Sequence, residues 1–157
     1  MTDRFARTNV GGMLSGTELK WLTSAVDECE LATHKQWRVG AVLIKSGRVL
    51  STGVNRYRNN PSMVEVSGVS YHAEEVALRR AGNTAGATIY VARLTRSGKI
   101  GDARPCKRCQ ALLLEHGVST AVWTEPSGWG KERLSRMIYE ESERRTECAT
   151  DKHPLFS

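Results

Sequence analysis

Two short motifs constrain this chain more than any other feature of its sequence. The first is His72-Ala73-Glu74, and the second is Pro105-Cys106-Lys107-Arg108-Cys109. One imidazole and two thiols supply three ligands of the kind that zinc prefers and leave a fourth coordination position open. Such a ligand set is typical of a catalytic zinc rather than a structural one. The fold must therefore bring two distant segments together around one small site.

The second motif is predicted to open a helix, because proline is favoured at the first helical position and Pro105 precedes the cysteines. Cys106 and Cys109 are three residues apart, so in a helical first turn both sulfurs point in the same direction. The partial positive charge of a helix N-terminus also favours the thiolate form, which is the form that binds metal. A C-x-x-C pair in a cytosolic chain is more typical of a metal or redox site than of a structural disulfide.

The first motif is also predicted to open a helix, over residues 72–81, which Gly82 would end. At ~100° per residue, His72 and Glu74 would point about 200° apart on a regular helix. They can serve one site only if the helix begins at or near His72. Glu74 is then well placed to move protons during a hydrolysis. Glu75 is expected to be solvent-exposed helix surface.

The rest of the hydrophobic pattern predicts helices alternating with strands. Ser15 and Glu18 form a predicted capping box for the first helix. The continuous apolar run over 39–44 indicates a strand buried on both faces, and the strand–helix–strand order around the second motif favours a parallel crossover. The predicted elements in order are a helix over 16–33, a β-hairpin of strands 39–44 and 48–55, a loop over 56–71, the helix over 72–81, a strand over 87–92, a basic loop over 94–104, the helix from Pro105 to Gly117, a strand over 118–124, a turn over 126–130 and a helix over 131–145.

Length and composition predict one domain over residues 1–157, with a mobile leader over 1–14 and a polar tail over 146–157. The chain is 39% hydrophobic and 25% charged, which is typical of a globular protein. No apolar run approaches the ~18–20 residues that span a bilayer, and the first residues lack the apolar core of a signal peptide. We therefore expect no membrane partner and a cytoplasmic location.

The net charge of +6 favours an anionic partner such as a nucleotide or a nucleic acid. Trp123 and Trp129 are expected to serve in the core or an interface, with stacking of a base of a nucleic acid as the alternative. Trp21 and Trp37 are expected to serve in packing. The candidate phosphate contacts are the basic residues Arg56, Arg58, Arg93, Arg96, Lys99 and Arg104.

The paired motifs resemble the His-x-Glu and Pro-Cys-x-x-Cys signature of the cytidine and deoxycytidylate deaminase superfamily, and the likeness covers residues 19–124. The resemblance implies a three-layer α/β/α fold with a central mixed sheet. It implies that His72, Cys106 and Cys109 bind Zn²⁺ and that Glu74 is the catalytic proton shuttle. Relatives are often dimers or larger assemblies, so a homo-oligomer is expected.

The resemblance also implies two substrate contacts. Relatives carry a Gly-x-Asn at the end of their second strand, and its Asn contacts the sugar of the substrate. Gly53-Val54-Asn55 matches that pattern, so Asn55 is the candidate sugar-binding residue. The backbone around Ala73 is implied to read the edge of the base.

The leading hypothesis is a zinc-dependent hydrolytic deaminase of a cytosine nucleoside or nucleotide, such as cytidine, deoxycytidine or deoxycytidylate, releasing ammonia. His72 as the first ligand differs from the cysteine usual in enzymes for free cytidine, whereas Cys-Lys-Arg-Cys resembles cytosine-acting relatives. One alternative is a deaminase of a base in RNA or single-stranded DNA, as in tRNA adenosine deaminases. Others are a deaminase of guanine or another free heterocycle, and a non-catalytic zinc-stabilised binding module.

Overall fold

The computed structural model describes residues 14–32, 37–57 and 70–138. The elements are α1 (Gly16–Cys29), β1 (Arg38–Lys45), β2 (Arg48–Val54), β3 (Arg56–Tyr57), β4 (Ser70–Tyr71), α2 (Ala73–Arg80), β5 (Thr88–Leu94), β6 (Ile100–Gly101), α3 (Lys107–Glu115), β7 (Thr120–Glu125) and β8 (Gly128–Arg133). The predicted leader up to residue 13, the predicted tail over 146–157 and Arg58 lie outside the described residues. Within the described part, no helix is long and apolar enough to cross a membrane.

The main sheet is mixed and has the strand order β2-β1-β5-β7-β8, with β6 paired to the end of β5. β1 runs antiparallel to both β2 and β5, and β8 runs antiparallel to β7. β5 and β7 are parallel, and α3 lies between them in sequence. The predicted parallel arrangement of the two strands around the second motif is therefore confirmed for β5 and β7.

Helices cover both faces of this sheet, so the predicted three-layer α/β/α fold is confirmed. The alternation of side chains along β1 shows how one strand serves two cores. Ala41 and Leu43 join α2, α3 and the helical residues 134–138 in one hydrophobic cluster. Val42 and Ile44 join α1 in the other. This two-sided burial explains why residues 39–44 are almost continuously apolar.

Two glycines let the helices approach the sheet closely. A Cβ built on Gly40 would lie 2.4 Å from the carbonyl oxygen of Ala25 in α1. A Cβ on Gly53 would lie 2.4 Å from the carbonyl oxygen of Ala73 in α2. Any side chain at Gly53 would therefore push the first turn of α2, which follows His72, away from β2.

The N-terminal half follows its prediction closely. The capping box of Ser15 and Glu18 is present, since the Ser15 side chain accepts the Glu18 amide and Glu18 Oε1 accepts the Ser15 amide. The helix ends at Cys29, four residues before the predicted end. The predicted hairpin is confirmed. The predicted loop over 56–71 is wrong at its two ends, where β3 and β4 pair and bring residues 57 and 70 together.

The C-terminal prediction is wrong, because a strand replaces the turn at 126–130 and the first residues of the predicted helix. β8 pairs with β7 along its length, and helix begins only at residue 134. Gly130 lies opposite Trp123 and leaves room for its indole, since a Cβ there would lie 2.3 Å from the ring. The helical spacing of Leu134 and Met137 belongs to the segment after the strand, where both are fully buried.

Candidate metal and catalytic centre

The first motif lies at the junction between β4 and α2. His72 is the N-cap of the helix, with an extended backbone (φ −72°, ψ 152°), and the first helical residue is Ala73. The helix thus begins where the shared use of His72 and Glu74 requires. The backbone N–H of His72 donates to Oε1 of Glu75 at 3.2 Å, which holds the histidine against the first turn.

The second motif lies at the start of α3, where Cys106 is the N-cap and Lys107 the first helical residue. The predicted start at Pro105 is therefore two residues too early. The buried side chain of Gln110 accounts for the difference. Its Nε2 donates to the carbonyl oxygen of Pro105 at 2.8 Å, while its backbone N–H donates to the carbonyl of Cys106. The ladder of the helix therefore begins at the first cysteine.

The structure brings the three predicted metal ligands together. Nδ1 of His72 lies 3.3 Å from Sγ of Cys109 and 3.6 Å from Sγ of Cys106. All three donor atoms lie within 4.8 Å of one another. With zinc at its usual distances from nitrogen and sulfur, two tetrahedral ligands are about 3.6 Å apart. A nitrogen and two sulfurs at this spacing fit zinc, and the predicted cofactor is confirmed.

The two thiols share one negative charge. Two side-chain hydrogen bonds, the larger effect from Cys109 and the smaller from His72, lower the pKa of Cys106 to about 3. The same contact with Cys106, together with burial, raises the pKa of Cys109. Two adjacent thiols cannot both ionise at low cost without a cation between them. The lowered pKa of Cys106 comes from its contacts with Cys109 and His72, so the effect of the helix N-terminus on the thiols stays a prediction. A bound metal would favour the thiolate of Cys109 as well.

Glu74 lies beside this donor group with 5% of its surface exposed. Burial raises the pKa of its carboxyl group above the ordinary value. A carboxyl shifted in this direction is better suited to take up and release a proton near neutral pH than an exposed one is.

A cavity of about 350 Å³ opens onto the donor group. Of the candidate phosphate contacts among the described residues, Arg93 and Arg104 line it, whereas Arg56, Arg96 and Lys99 do not. The lining residues are Trp37, Val39, Asn55, His72, Ala73, Glu74, Arg93, Asp102, Ala103, Arg104 and Cys106.

Asn55, the candidate sugar contact, lines this cavity but also holds the fold together. It is 7% exposed. Its Oδ1 accepts the backbone N–H of Val39 at 2.9 Å, and its Nδ2 donates to the carbonyl oxygen of Trp37 at 2.6 Å. The side chain thus joins the end of β2 to the start of β1, and its contact with a sugar stays a prediction.

The prediction is wrong for Trp37 and correct for Trp123 and Trp129. Trp37, expected to pack, is 48% exposed and lines the cavity, with the Arg93 guanidinium 4.0 Å from its ring centroid. Its position immediately before a buried strand is the sequence signal that places it at the end of the sheet. Trp123 and Trp129 are 3% and 6% exposed, so neither is available to stack a base, and their expected packing role is confirmed.

The prediction for Glu75 is also wrong. Glu75 is only 7% exposed and forms an ion pair with Arg108 of the second motif. The carboxylate lies between the two helix N-termini, where it has partners on both sides. Glu-Glu in the first turn of a helix gives no sequence signal of which carboxylate will meet a distant arginine.

Comparison with known proteins adds a family and a fold. The family model of the cytidine and deoxycytidylate deaminase zinc-binding region matches residues 16–125. The dCMP deaminase of cyanophage S-TIM5 is similar in structure, with a TM-score of 0.56 and 18% identity over 72% of this chain and 86% of that one.

Two mycobacterial enzymes are similar as well. The cytidine deaminase of Mycobacterium leprae has a TM-score of 0.52 and 21% identity over 76% of this chain and 94% of that one. A variant of the Mycobacterium tuberculosis cytidine deaminase has a TM-score of 0.51 and 26% identity over 75% and 91%. No curated relative matches the sequence.

Proposed function

We propose, from the premise that this chain belongs to the cytidine and deoxycytidylate deaminase family of zinc-dependent hydrolases of carbon–nitrogen bonds, that it deaminates a cytosine nucleoside or nucleotide and releases ammonia. One observation carries the proposal: a buried glutamate, two arginines, and His72 and Cys106 of the His-Cys-Cys donor group all line one cavity. The similarity to a dCMP deaminase and to cytidine deaminases supports cytosine as the base.

In this proposal His72, Cys106 and Cys109 hold the metal. When bound there, zinc supplies the Lewis acidity that makes water a nucleophile at neutral pH. Cys109 is buried, whereas Cys106 is exposed and lines the cavity, so a metal held by the three ligands would be accessible to a substrate in the cavity.

Glu74 moves the protons. Its carboxylate takes a proton from the attacking water and gives it to the ring nitrogen next to the carbon that carries the amino group. A second proton from the same water passes through Glu74 to the departing amine, which leaves as ammonia while the carbon becomes a carbonyl. The burial of Glu74 keeps bulk water from competing for these protons.

The substrate lies along the cavity in this proposal. The backbone at Ala73, the first residue of α2, contacts the edge of the base, and Asn55 contacts the sugar with the hydrogen-bonding capacity that its backbone contacts leave.

Two arginines among the lining residues favour a substrate that carries a phosphate group. Arg93 and Arg104 line the cavity, and Nε of Arg93 is buried with no hydrogen-bond partner among the described residues. A buried donor of this kind is costly unless a ligand or water satisfies it. Because a phosphate oxygen is a strong acceptor for arginine, we favour a nucleoside monophosphate over a free nucleoside.

A second candidate is a base within single-stranded nucleic acid, and one observation favours it. Tyr71, which directly precedes His72, has the guanidinium groups of Arg56 and Arg79 at 5.7 and 4.5 Å from its ring centroid. This cationic surface lies outside the cavity lining and could contact a backbone beyond the reacting nucleotide.

Ammonia release tests both candidates. The zinc-loaded protein is assayed on cytidine, deoxycytidine, their monophosphates, guanine, adenosine and short oligonucleotides. We expect kcat/KM for a cytosine monophosphate to exceed that of its nucleoside by about 10–100-fold, the size of one or two charge-assisted hydrogen bonds. Chelation of zinc should abolish release and added zinc should restore it. Release from oligonucleotides alone, with steep salt dependence, would favour the second candidate.

A homo-oligomeric state and a cytoplasmic location stay predictions. Light scattering of the purified protein tests the first, and fractionation of the source cells tests the second.

A further inference from the structure

An ion pair between Glu75 and Arg108 links the two zinc-binding motifs. Glu75 lies in the first turn of α2 after His72, and Arg108 lies between Cys106 and Cys109 in the first turn of α3. The Glu75 side chain is 9% exposed, whereas that of Arg108 is 48% exposed. The arginine therefore reaches inward from the surface to a carboxylate that is almost fully buried.

The same carboxylate oxygen has a second partner. Oε1 of Glu75 accepts a hydrogen bond from the backbone N–H of His72 and also one from the Arg108 guanidinium. One atom thus contacts the backbone of the first metal ligand and the side chain that stands between the other two. We propose that Glu75 and Arg108 are positioning residues that set the separation of His72 from the two cysteines. This inference rests on the proposed function, because it assumes that these residues hold zinc.

Electrostatics explains why such a link is needed. The N-termini of α2 and α3 meet at this site, and each carries partial positive charge. A cation in the first turn of a helix is unfavourable by itself, yet α3 has Lys107 and Arg108 there and no acidic residue. The Glu75 carboxylate offsets the charge of both helix ends and holds the side chain of Arg108, the residue between the two cysteines in sequence.

Stability of the fold is not the role that this contact fits best. Because the Arg108 side chain is half-exposed, solvent screens this ion pair, and its contribution to folding stability is expected to be small. Groups that contact metal ligands, in contrast, orient those ligands, and their loss typically lowers metal affinity or activity about 10–100-fold. Lys107 provides an internal control, because it carries the same charge in the same turn, is exposed, and has no ion pair within the described residues.

The test measures zinc loss from the full-length zinc-loaded protein into excess chelator, for Arg108→Gln, Glu75→Gln, the double variant and the control Lys107→Gln. We expect each of the first two to lose zinc about 10–100-fold faster than the unchanged protein. The double variant should be no faster than the faster single variant, because both changes break one link. Lys107→Gln should stay within about twofold.

Three further measurements separate positioning from a merely structural role. Arg108→Lys, which keeps the charge but not the fork of donors, should recover part of the zinc retention. On the best substrate, kcat should fall in the two single variants while KM stays nearly unchanged. The zinc-free variants should melt at the same temperature as the zinc-free unchanged protein.

Equal zinc loss from Arg108→Gln and Lys107→Gln would overturn the proposal, as would single effects that multiply in the double variant or a lowered melting temperature that accounts for the faster loss. Zinc release needs no substrate, so these outcomes are independent of which base is deaminated. A protein that binds no zinc at all would instead refute the proposed function.

Discussion

The cavity has two ends that are built in different ways. The metal end consists of His72, Glu74, Cys106 and Cys109, and it comes from two motifs at two helix N-termini. The rim consists of Trp37, Asn55, Arg93 and Arg104, and it comes from four separate places in the chain.

Strand register assembles the rim around Val39. Val39 pairs with Arg93 across β1 and β5, and its backbone N–H donates to Asn55 Oδ1. Asn55 in turn holds the carbonyl of Trp37, whose ring contacts the Arg93 guanidinium. Local backbone conformation positions the ligands within each motif of the metal end, and the fold then brings the two helix starts together. The rim, in contrast, is assembled by strand pairing. The first should therefore govern the rate of the chemical step, and the second should govern substrate affinity together with folding.

The largest expected effect is at the metal end. Glu74→Gln keeps the size of the side chain but removes its ability to accept a proton, so kcat should fall about 10²–10⁴-fold. Zinc content, measured by metal analysis, should stay the same because Glu74 is not a proposed ligand. Glu115→Gln, an exposed change on α3, is the matched control and should leave kcat unaltered. Full activity of Glu74→Gln would break the assignment of the proton shuttle.

A change in the rim should act on affinity. Arg93→Gln should raise KM for a cytosine monophosphate about 10–100-fold, because a charge-assisted hydrogen bond is lost, and should leave kcat within a few-fold. The nucleoside should respond less. Steady-state kinetics on the pair of substrates measures both, with the exposed Arg96→Gln as the control. A fall in kcat at constant KM would show that the two ends do not divide the work in this way.

Asn55→Ala should affect both folding and binding. It removes the acceptor of the Val39 amide and the donor to the Trp37 carbonyl, so the free energy of unfolding should fall by about 1–3 kcal/mol. KM should rise as well. Urea denaturation measures the free energy of unfolding. The comparison is Asn83→Ala, at an exposed site where the side chain accepts a local backbone amide. Equal losses at the two sites would argue that the rim is not coupled to the sheet.

The smallest effect is expected far from both ends. Lys131 forms an exposed ion pair with Glu18 between β8 and the first turn of α1. Lys131→Gln should change the free energy of unfolding by about 0–1 kcal/mol and leave kcat and KM unaltered. A large kinetic effect there would show that neither end of the cavity acts locally.

The same division explains what could be predicted from the sequence. His72, Glu74, Cys106 and Cys109 stand in two short motifs whose helix starts are revealed by local patterns. The ligand chemistry of the two motifs then predicts that they share one site. The predicted packing role of Trp37 and the predicted exposure of Glu75 are wrong because the environments of these residues depend on partners far away in the chain, namely Arg93 and Arg108.

The error at β8 has the same origin. Residues 128–133 carry no alternation of apolar side chains, and they form a strand because the edge of β7 offers backbone partners and Gly130 accommodates the Trp123 indole. Local propensity contains neither fact. The hairpin of β1 and β2 was predictable because its turn and both strands are consecutive.

Gly40 and Gly53 have a mechanical consequence. Gly53 pairs with Ala41, the neighbour of Gly40, so the two glycines lie on adjacent strands and face opposite helices. At these two positions the backbones of α1 and α2 contact the backbone of the sheet directly, with no side chain of the strand between them. A displacement of α1 toward the sheet is therefore expected to shift Ala73 and the histidine before it. Changes in the packing of α1 should thus reach the candidate site from the opposite face of the sheet.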